Sequence, residues 1–155
     1  MKIEGLFVFE NTGYDAVWAF LTDPDHIAGC LPGCEKLTAI GDGTYEIAMS
    51  IGIGSIRGKF TGSIRLQDVN PKTDYAMAVS GSGAPGFVNA AGQVRLCTEG
   101  NDTRVEYSGV VNAGGPIASV GQRMISGAAR MLIDQFFRCM KNALNFGNKD
   151  LVGFG

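Results

Sequence analysis

Apolar and polar residues alternate along much of the chain between residues 3 and 112, which predicts β-strands. The clearest alternation lies between Ile56 and Gln67, where apolar side chains and glycines occupy the even positions and polar side chains the odd ones. Turn-forming residues divide this region. Seven strands are therefore predicted, at Ile3–Glu10, Glu35–Ile40, Tyr45–Ile53, Ile56–Gln67, Asp74–Gly81, Phe87–Cys97 and Thr103–Asn112.

Helical periodicity replaces the alternation in two regions. Two short helices follow the first strand: one capped by Asn11 or Thr12 and ending near Leu21, and one that begins with the capping signal Asp23-Pro24. After Gly114-Gly115-Pro116, apolar residues recur at helical spacing from Ile117 to about Leu144. A helix of that length measures about 40 Å, which is the length of a whole domain.

These elements predict an α+β fold in which a curved antiparallel sheet of about seven strands wraps around one long C-terminal helix. Residues 1–145 form the single domain, and residues 146–155 form a short tail. The 23 glycines of the 155 residues are about twice the usual proportion. Glycines within strands let a sheet bend and a helix approach it, so we expect an apolar cavity between the layers. The alternative is that these glycines mark bulges without any cavity.

Composition narrows the class of protein. The net charge is −2 and the 13 Lys and Arg residues form no run, which disfavours nucleic acid as a partner. There is no signal-peptide pattern and no apolar run long enough to span a bilayer, so we expect a cytoplasmic protein. In that compartment the four cysteines are expected to be thiols, although oxidation could join Cys30 to Cys34.

The sequence offers little catalytic chemistry, so we predict no catalytic residue and no enzyme activity. A catalytic triad would have to use His26, the only histidine, which we expect to be a surface or capping residue. The spacing of Cys30 and Cys34 does not fit a zinc site, and Cys97 and Cys139 lie on apolar stretches, so no metal site is predicted. The acidic residues form no general acid–base pair.

Apolar side chains are the dominant candidates for function, with an ordinary core as the alternative. Met and Phe together suit an adaptable pocket. The predicted ligand-binding residues are Leu31, Met49, Phe60, Met77, Phe87, Tyr107, Val120, Met124, Ile125 and Ala128. Phe60 and Met124 are expected to face each other across the cavity. Leu31 and Phe87 are expected to form a mobile lid at its mouth, unless Phe87 is plain core.

Several segments together resemble the CoxG family of the carbon monoxide dehydrogenase system, within the START-like helix-grip (SRPBCC) superfamily. The resemblance extends from Ile3 to about Met140. Its segments are Val17–Pro24, Cys30-Leu31-Pro32-Gly33-Cys34-Glu35, Gly58–Gly62, Gly81–Phe87, Gly114–Ala118, Gly121-Gln122-Arg123 and Gln135-Phe136-Phe137. The resemblance implies the helix-grip fold and an accessory role beside a molybdenum carbon monoxide dehydrogenase or a related hydroxylase.

The resemblance also implies a bound quinone- or lipid-like molecule and recruitment of the dehydrogenase to the inner face of the membrane. Many members carry a longer C-terminal extension, whereas residues 146–155 are too few to span a bilayer. No covalent cofactor is expected. Two alternatives stay open: a polyketide cyclase- or hydrolase-like enzyme that uses the same cavity, and an assembly factor that binds no ligand.

Overall fold

The computed structural model describes the backbone of residues 1–153 and the side chains of residues 1–145. Its strands are β1 (Lys2–Phe9), β2 (Cys34–Gly41), β3 (Thr44–Ile53), β4 (Ile56–Asn70), β5 (Asp74–Gly83), β6 (Gly86–Glu99) and β7 (Asp102–Gly114). Its helices are α1 (Tyr14–Leu21), α2 (Pro24–Cys30), a 3₁₀ helix (Gly115–Val120) and α3 (Gln122–Gly153). Phe154 and Gly155, the end of the predicted tail, lie outside the described residues.

The seven strands form one antiparallel sheet in the order β1-β7-β6-β5-β4-β3-β2. Directly opposed residues share a face, so the pairs Tyr45–Ile64, Met77–Gly92 and Val94–Tyr107 place their side chains on one face. This is the inner face, which the helices cover. The predicted α+β helix-grip architecture, with two short helices after the first strand and one long helix at the end, is confirmed.

The short helix α2 begins as predicted. The Asp23 carboxylate accepts a hydrogen bond from the backbone N–H of Asp25 at 2.9 Å, and Pro24 occupies the first turn. The cap predicted for α1 is wrong, because its N-cap residue is Gly13 and no side chain caps it. Thr12 instead is buried, and its hydroxyl donates to the carbonyl of Glu10.

The long helix differs from its predicted span at both ends. Residues 115–120 form a 3₁₀ helix, and Gly121, with φ of +93°, separates it from α3. Glycine adopts that conformation at low cost, which explains the break. At the other end α3 continues to Gly153, so most of the predicted tail is helical. No helix in the described part of the chain is both long and apolar enough to cross a bilayer.

The core has two parts. The larger one is rich in aromatic residues and lies under α1, α2 and the middle of α3; its most buried members include Phe9, Val17, Val105, Phe137 and Met140. The smaller one lies near the start of α3 and contains Ile56, Ile117, Ile125 and Ala128. Residues of the larger part, among them Tyr75 and Phe137, also line the cavity between the sheet and the helices.

Candidate ligand-binding cavity

An apolar cavity of about 290 Å³ lies between the sheet and the helices and is partly open to solvent. Its floor is the inner face of the sheet, to which every strand from β1 to β7 contributes. Helix α2 supplies Pro24 and Ile27, and the residue after that helix, Leu31, lies beside them. Helix α3 forms another wall with Ala129, Leu132, Ile133, Phe136 and Phe137.

The lining contains no Asp, Glu, Lys, Arg, His or Cys residue. Gln93 and Ser108 lie at the cavity through their backbone, because their side chains alternate with the inner-face residues Val94 and Tyr107 and are exposed. The polar groups that inner-face side chains bring to the cavity are therefore three phenol hydroxyls, those of Tyr45, Tyr75 and Tyr107. Such a surface suits an apolar molecule with few polar atoms.

Burial raises the pKa of two of the phenols in the cavity. It raises the pKa of Tyr75 far above its ordinary value, because the charged phenolate would be desolvated. It also raises the pKa of Tyr107, although the nearby Arg130 charge opposes this shift. The hydroxyls of Tyr75 and Tyr107 are therefore neutral hydrogen-bonding groups at physiological pH.

Three of the ten predicted ligand-binding residues line this cavity. Leu31 is at its helical wall, and Met77 and Tyr107 are on its floor. Tyr107 stacks on Phe137 of α3, with 5.6 Å between the ring centroids. Its ring lies across Gly5, where the hydroxyl would meet any side chain. A glycine in β1 thus makes room for an aromatic side chain in the neighbouring strand β7.

The structure places the other seven outside the lining, for two reasons. Met49 and Phe60 lie opposite each other in β3 and β4 on the correct face, but Phe60 packs on the smaller core cluster rather than beside the cavity. Ile125 and Ala128 belong to that same cluster, and Val120 packs against it. Position along the strand or helix, which alternation does not specify, separates them from the cavity.

Met124 and Phe87 are exposed instead. Met124 is 42% exposed, whereas the next residue of α3, Ile125, is buried against the smaller core cluster, so Met124 lies at the edge of the predicted helical stripe. The predicted cavity wall of Phe60 and Met124 is therefore wrong. Phe87 is 47% exposed and opposes Gly114 in β7, and its ring lies across that glycine. Because Phe87 alternates with the inner-face residue Val88, it lies on the outer face and is neither a lid nor buried core.

Glycines shape the sheet rather than widen the cavity. A Cβ atom at Gly62 would collide with the carbonyl oxygen of Ser80 in β5. At Gly92 and Gly109, which do line the cavity, a Cβ atom would lie 2.9 Å from a carbonyl oxygen of the adjacent strand. Close approach of neighbouring strands therefore requires these glycines, whereas the sequence analysis expected strand glycines to let the sheet bend and the helix approach it.

A disulfide joins two cavity walls. Cys30, at the end of α2, pairs with Cys139 of α3, and their Cα atoms are 5.4 Å apart. The expectation that all four cysteines are thiols is therefore wrong, and so is a Cys30–Cys34 pairing. Cys34 and Cys97 are the free thiols. The pairing was missed because the two sulfurs meet only when α2 packs against α3, which linear spacing does not reveal.

Most of the cavity lining could not be predicted from the sequence. Tyr45, Tyr75, Ile64 and Leu66 continue the predicted inner-face alternation, so their face could be inferred but not their closeness to the opening. Phe136 lies on the predicted helical stripe, whereas its neighbour Phe137 does not. Within residues 1–145, no group of three or more His, Cys, Asp or Glu side chains is arranged to hold a metal ion.

Solved structures of other proteins share this architecture. A conserved protein from Geobacillus kaustophilus is 34% identical and superposes with a TM-score of 0.89 over 94% of this chain and 95% of that one. A START superfamily protein from Mycobacterium smegmatis has a TM-score of 0.72 at 7% identity, covering 93% of this chain and 97% of that one.

An aromatase/cyclase, Zhui, from Streptomyces sp. R1128 has a TM-score of 0.68 at 16% identity, covering 94% and 93% of the two chains. At these low identities the likeness to the last two proteins concerns the fold alone. No curated protein shows significant similarity to the sequence. The family model for CoxG, which is described as a subunit of carbon monoxide dehydrogenase, matches residues 11–145, and this chain therefore belongs to the CoxG family.

Proposed function

We propose that this protein is a non-catalytic accessory protein that carries a quinone- or lipid-like molecule in the cavity and serves a molybdenum carbon monoxide dehydrogenase-type enzyme. One observation carries the proposal: the cavity lining is apolar except for three phenols and contains no ionisable residue other than these. Membership of the CoxG family supports the link to the dehydrogenase. The protein would serve the enzyme either by delivering a quinone to it or by recruiting it to the membrane.

The size of the cavity limits what it holds. Small-molecule pockets usually measure ~300–1,000 Å³, so about 290 Å³ suits a ring system or a short chain. A longer isoprenoid or acyl chain would have to continue through the open side. We therefore expect the head or first segment of the ligand to lie on the sheet, with the remainder directed towards solvent, a partner or a membrane.

A carrier explains the lining better than an enzyme does. A cyclase or hydrolase needs groups that donate and accept protons near neutral pH, and burial keeps the deepest phenol, Tyr75, protonated. The observation that favours the enzyme hypothesis is the fold shared with the aromatase/cyclase Zhui. If the protein is a carrier, a bound molecule recovered after prolonged incubation is chemically unchanged.

Ligand binding can be tested with the single tryptophan. The Trp18 ring lies edge-on to Tyr75, with 5.9 Å between centroids, and Tyr75 lines the cavity. Titration with 2-methyl-1,4-naphthoquinone should quench Trp18 fluorescence to saturation. Absence of saturable quenching, together with no binding by calorimetry, would instead favour an assembly factor without a ligand.

A matched pair of variants locates the site. Ala129→Phe places a large side chain in the cavity wall on α3 and should weaken binding at least tenfold. Ala143→Phe makes the same change at an exposed position of the same helix and should leave affinity unchanged. Equal affinities in the two variants would mean that the ligand binds elsewhere.

The partner is tested separately. Tagged protein isolated from its host under mild conditions should retain a molybdenum-containing dehydrogenase, identified by mass spectrometry and metal analysis. Vesicle flotation with and without that enzyme then distinguishes membrane recruitment from quinone delivery. Retention of the enzyme by Ala129→Phe would show that partner binding does not depend on the ligand.

A further inference from the structure

Tyr75 has an unusual position among the cavity residues. It is the second residue of β5, the central strand of the sheet, and only 5% of its surface is exposed. Its ring packs edge-on against Trp18. No group within residues 1–145 forms a hydrogen bond with its hydroxyl, and its raised pKa reflects burial alone. By comparison, the Tyr14 hydroxyl donates to the carbonyl oxygen of Leu96 at 3.3 Å.

The Tyr75 hydroxyl borders open space. Within residues 1–145, the one side-chain polar atom that is both sealed from water and without a partner is Nε of Arg104. An unpartnered hydroxyl that is not sealed must touch a space that a water-sized molecule can reach. Tyr75 is buried and lines one such space, the cavity.

The other two phenols are placed differently. The Tyr107 ring stacks on Phe137 and lies across Gly5, which directs its hydroxyl towards β1. Tyr45 lies two strands from Tyr75, on β3, and is only partly buried. Tyr75 is thus the most deeply buried hydrogen-bond donor that faces the cavity.

A phenol in apolar surroundings loses the hydrogen bonds that water would give it, and this loss costs free energy. A bound molecule with an acceptor oxygen would restore one bond, whereas a hydrocarbon would not. The same asymmetry lets buried polar groups discriminate strongly between otherwise similar ligands.

We propose that the Tyr75 hydroxyl donates a hydrogen bond to an oxygen of the bound molecule, so that the cavity selects apolar ligands that carry a carbonyl or a similar acceptor over plain hydrocarbons. This inference rests on the proposed ligand-binding function and names the ligand chemistry of the same cavity. The hydrogen bond from Tyr75 distinguishes ligands with an acceptor oxygen from hydrocarbons, which the apolar side chains of the lining cannot do.

Two probes with the same ring skeleton test it: 2-methyl-1,4-naphthoquinone, which carries two carbonyl oxygens, and 2-methylnaphthalene, which carries none. Equilibrium dialysis gives both dissociation constants, and their ratio measures selectivity independently of general changes in binding. Tyr75→Phe removes only the hydroxyl. The preference for the quinone should fall roughly fivefold in this variant, the effect of one net hydrogen bond, mainly through weaker quinone binding.

Tyr14→Phe is the matched control, because it removes a partnered hydroxyl outside the cavity lining. Its selectivity ratio should equal that of the unaltered protein. A second measurement separates ligand recognition from a structural role: Tyr75→Phe without ligand should melt at an unchanged or higher temperature, since no internal hydrogen bond is lost.

The outcomes are distinct. An unchanged ratio in Tyr75→Phe, an equal change in Tyr14→Phe, or a lower melting temperature for ligand-free Tyr75→Phe than for the unaltered protein would overturn the role of Tyr75. If both probes bind with an unchanged ratio, this inference fails while the carrier function stands. If neither probe binds the unaltered protein, the carrier function fails, and the inference fails with it.

Discussion

Cys30 and Cys139 are 109 positions apart in sequence, yet their sulfur atoms form a disulfide that joins α2 to α3. Both helices line the cavity, through Ile27 of α2 and Phe136 of α3 among others. The cross-link therefore fixes the distance between two walls that are otherwise held together by side-chain packing.

Removal of this disulfide should destabilise the protein. Cys139→Ser, or reduction of the unaltered protein, should lower the free energy of unfolding by about 2–4 kcal/mol, because a cross-link that closes a long loop restricts the unfolded chain. Urea unfolding with and without a dithiol reductant measures the loss. Cys34→Ser removes a free thiol and should leave stability and its response to reductant nearly unchanged. Four reactive thiols in denatured, unreduced protein would contradict the pairing.

A side chain at position 62 should disturb the sheet. Gly62→Ala places a Cβ atom against the backbone carbonyl of Ser80, which cannot move without shifting β5. We expect a loss of about 1–3 kcal/mol, typical of overpacking. Gly127→Ala is the control, since nothing beyond its chain neighbours and the nearby backbone of its own helix lies within 4 Å of the added Cβ, and alanine favours helix by up to about 1 kcal/mol. Chemical denaturation that ranked Gly62→Ala as the more stable variant would be inconsistent with the close strand contact.

The cap of α2 should contribute measurably to stability. Asp23→Ala removes the acceptor for the Asp25 N–H, and we expect a loss of about 1 kcal/mol. Asp23→Asn keeps a capping oxygen and should retain most of the stability, because the exposed pairing of Asp23 with His26 contributes little. Thermal melts of the two variants give the comparison. Equal losses would point to the ion pair rather than the cap.

Stability should decline at alkaline pH. The pKa of Tyr75 is raised in the folded state, whereas an unfolded tyrosine titrates near pH ~10. Above that pH the unfolded chain releases a proton that the folded protein retains, so the free energy of unfolding falls, by up to about 1.4 kcal/mol per pH unit for this group. Tyr75→Phe should reduce the slope between pH ~10 and ~12. An unchanged slope would mean that Tyr75 ionises normally in the folded protein.

The sequence predicted the faces of the elements better than their positions. Alternation correctly assigned Phe60 of β4 and Met77 of β5 to the inner face, but only Met77 lies at the cavity. Strand β4 is long enough to reach both core clusters, and Phe60 lies at the smaller one. Periodicity specifies a direction for each side chain and carries no information on where along a strand the second layer leaves a gap. The cavity could therefore be expected, but its lining could not.

Other differences arise from contacts between distant segments. The apolar stripe passes through Gly121 in sequence, although the helix is interrupted there, and Met124 lies exposed beside the buried Ile125. The pairing of Cys30 with Cys139 depends on the packing of α2 against α3. The cap at Asp23, by contrast, was predictable because all its atoms lie within one turn.

In the cell, a hydrophobic small molecule should occupy the cavity. Native mass spectrometry of the protein purified from its own host, without detergent, tests this most directly. We expect a population whose mass exceeds that of the polypeptide by one apolar, oxygen-containing molecule. This added mass should persist in Ala143→Phe and disappear in Ala129→Phe. A protein that shows only its sequence mass and takes up no naphthoquinone, or an added mass that Ala129→Phe retains in full, would contradict it.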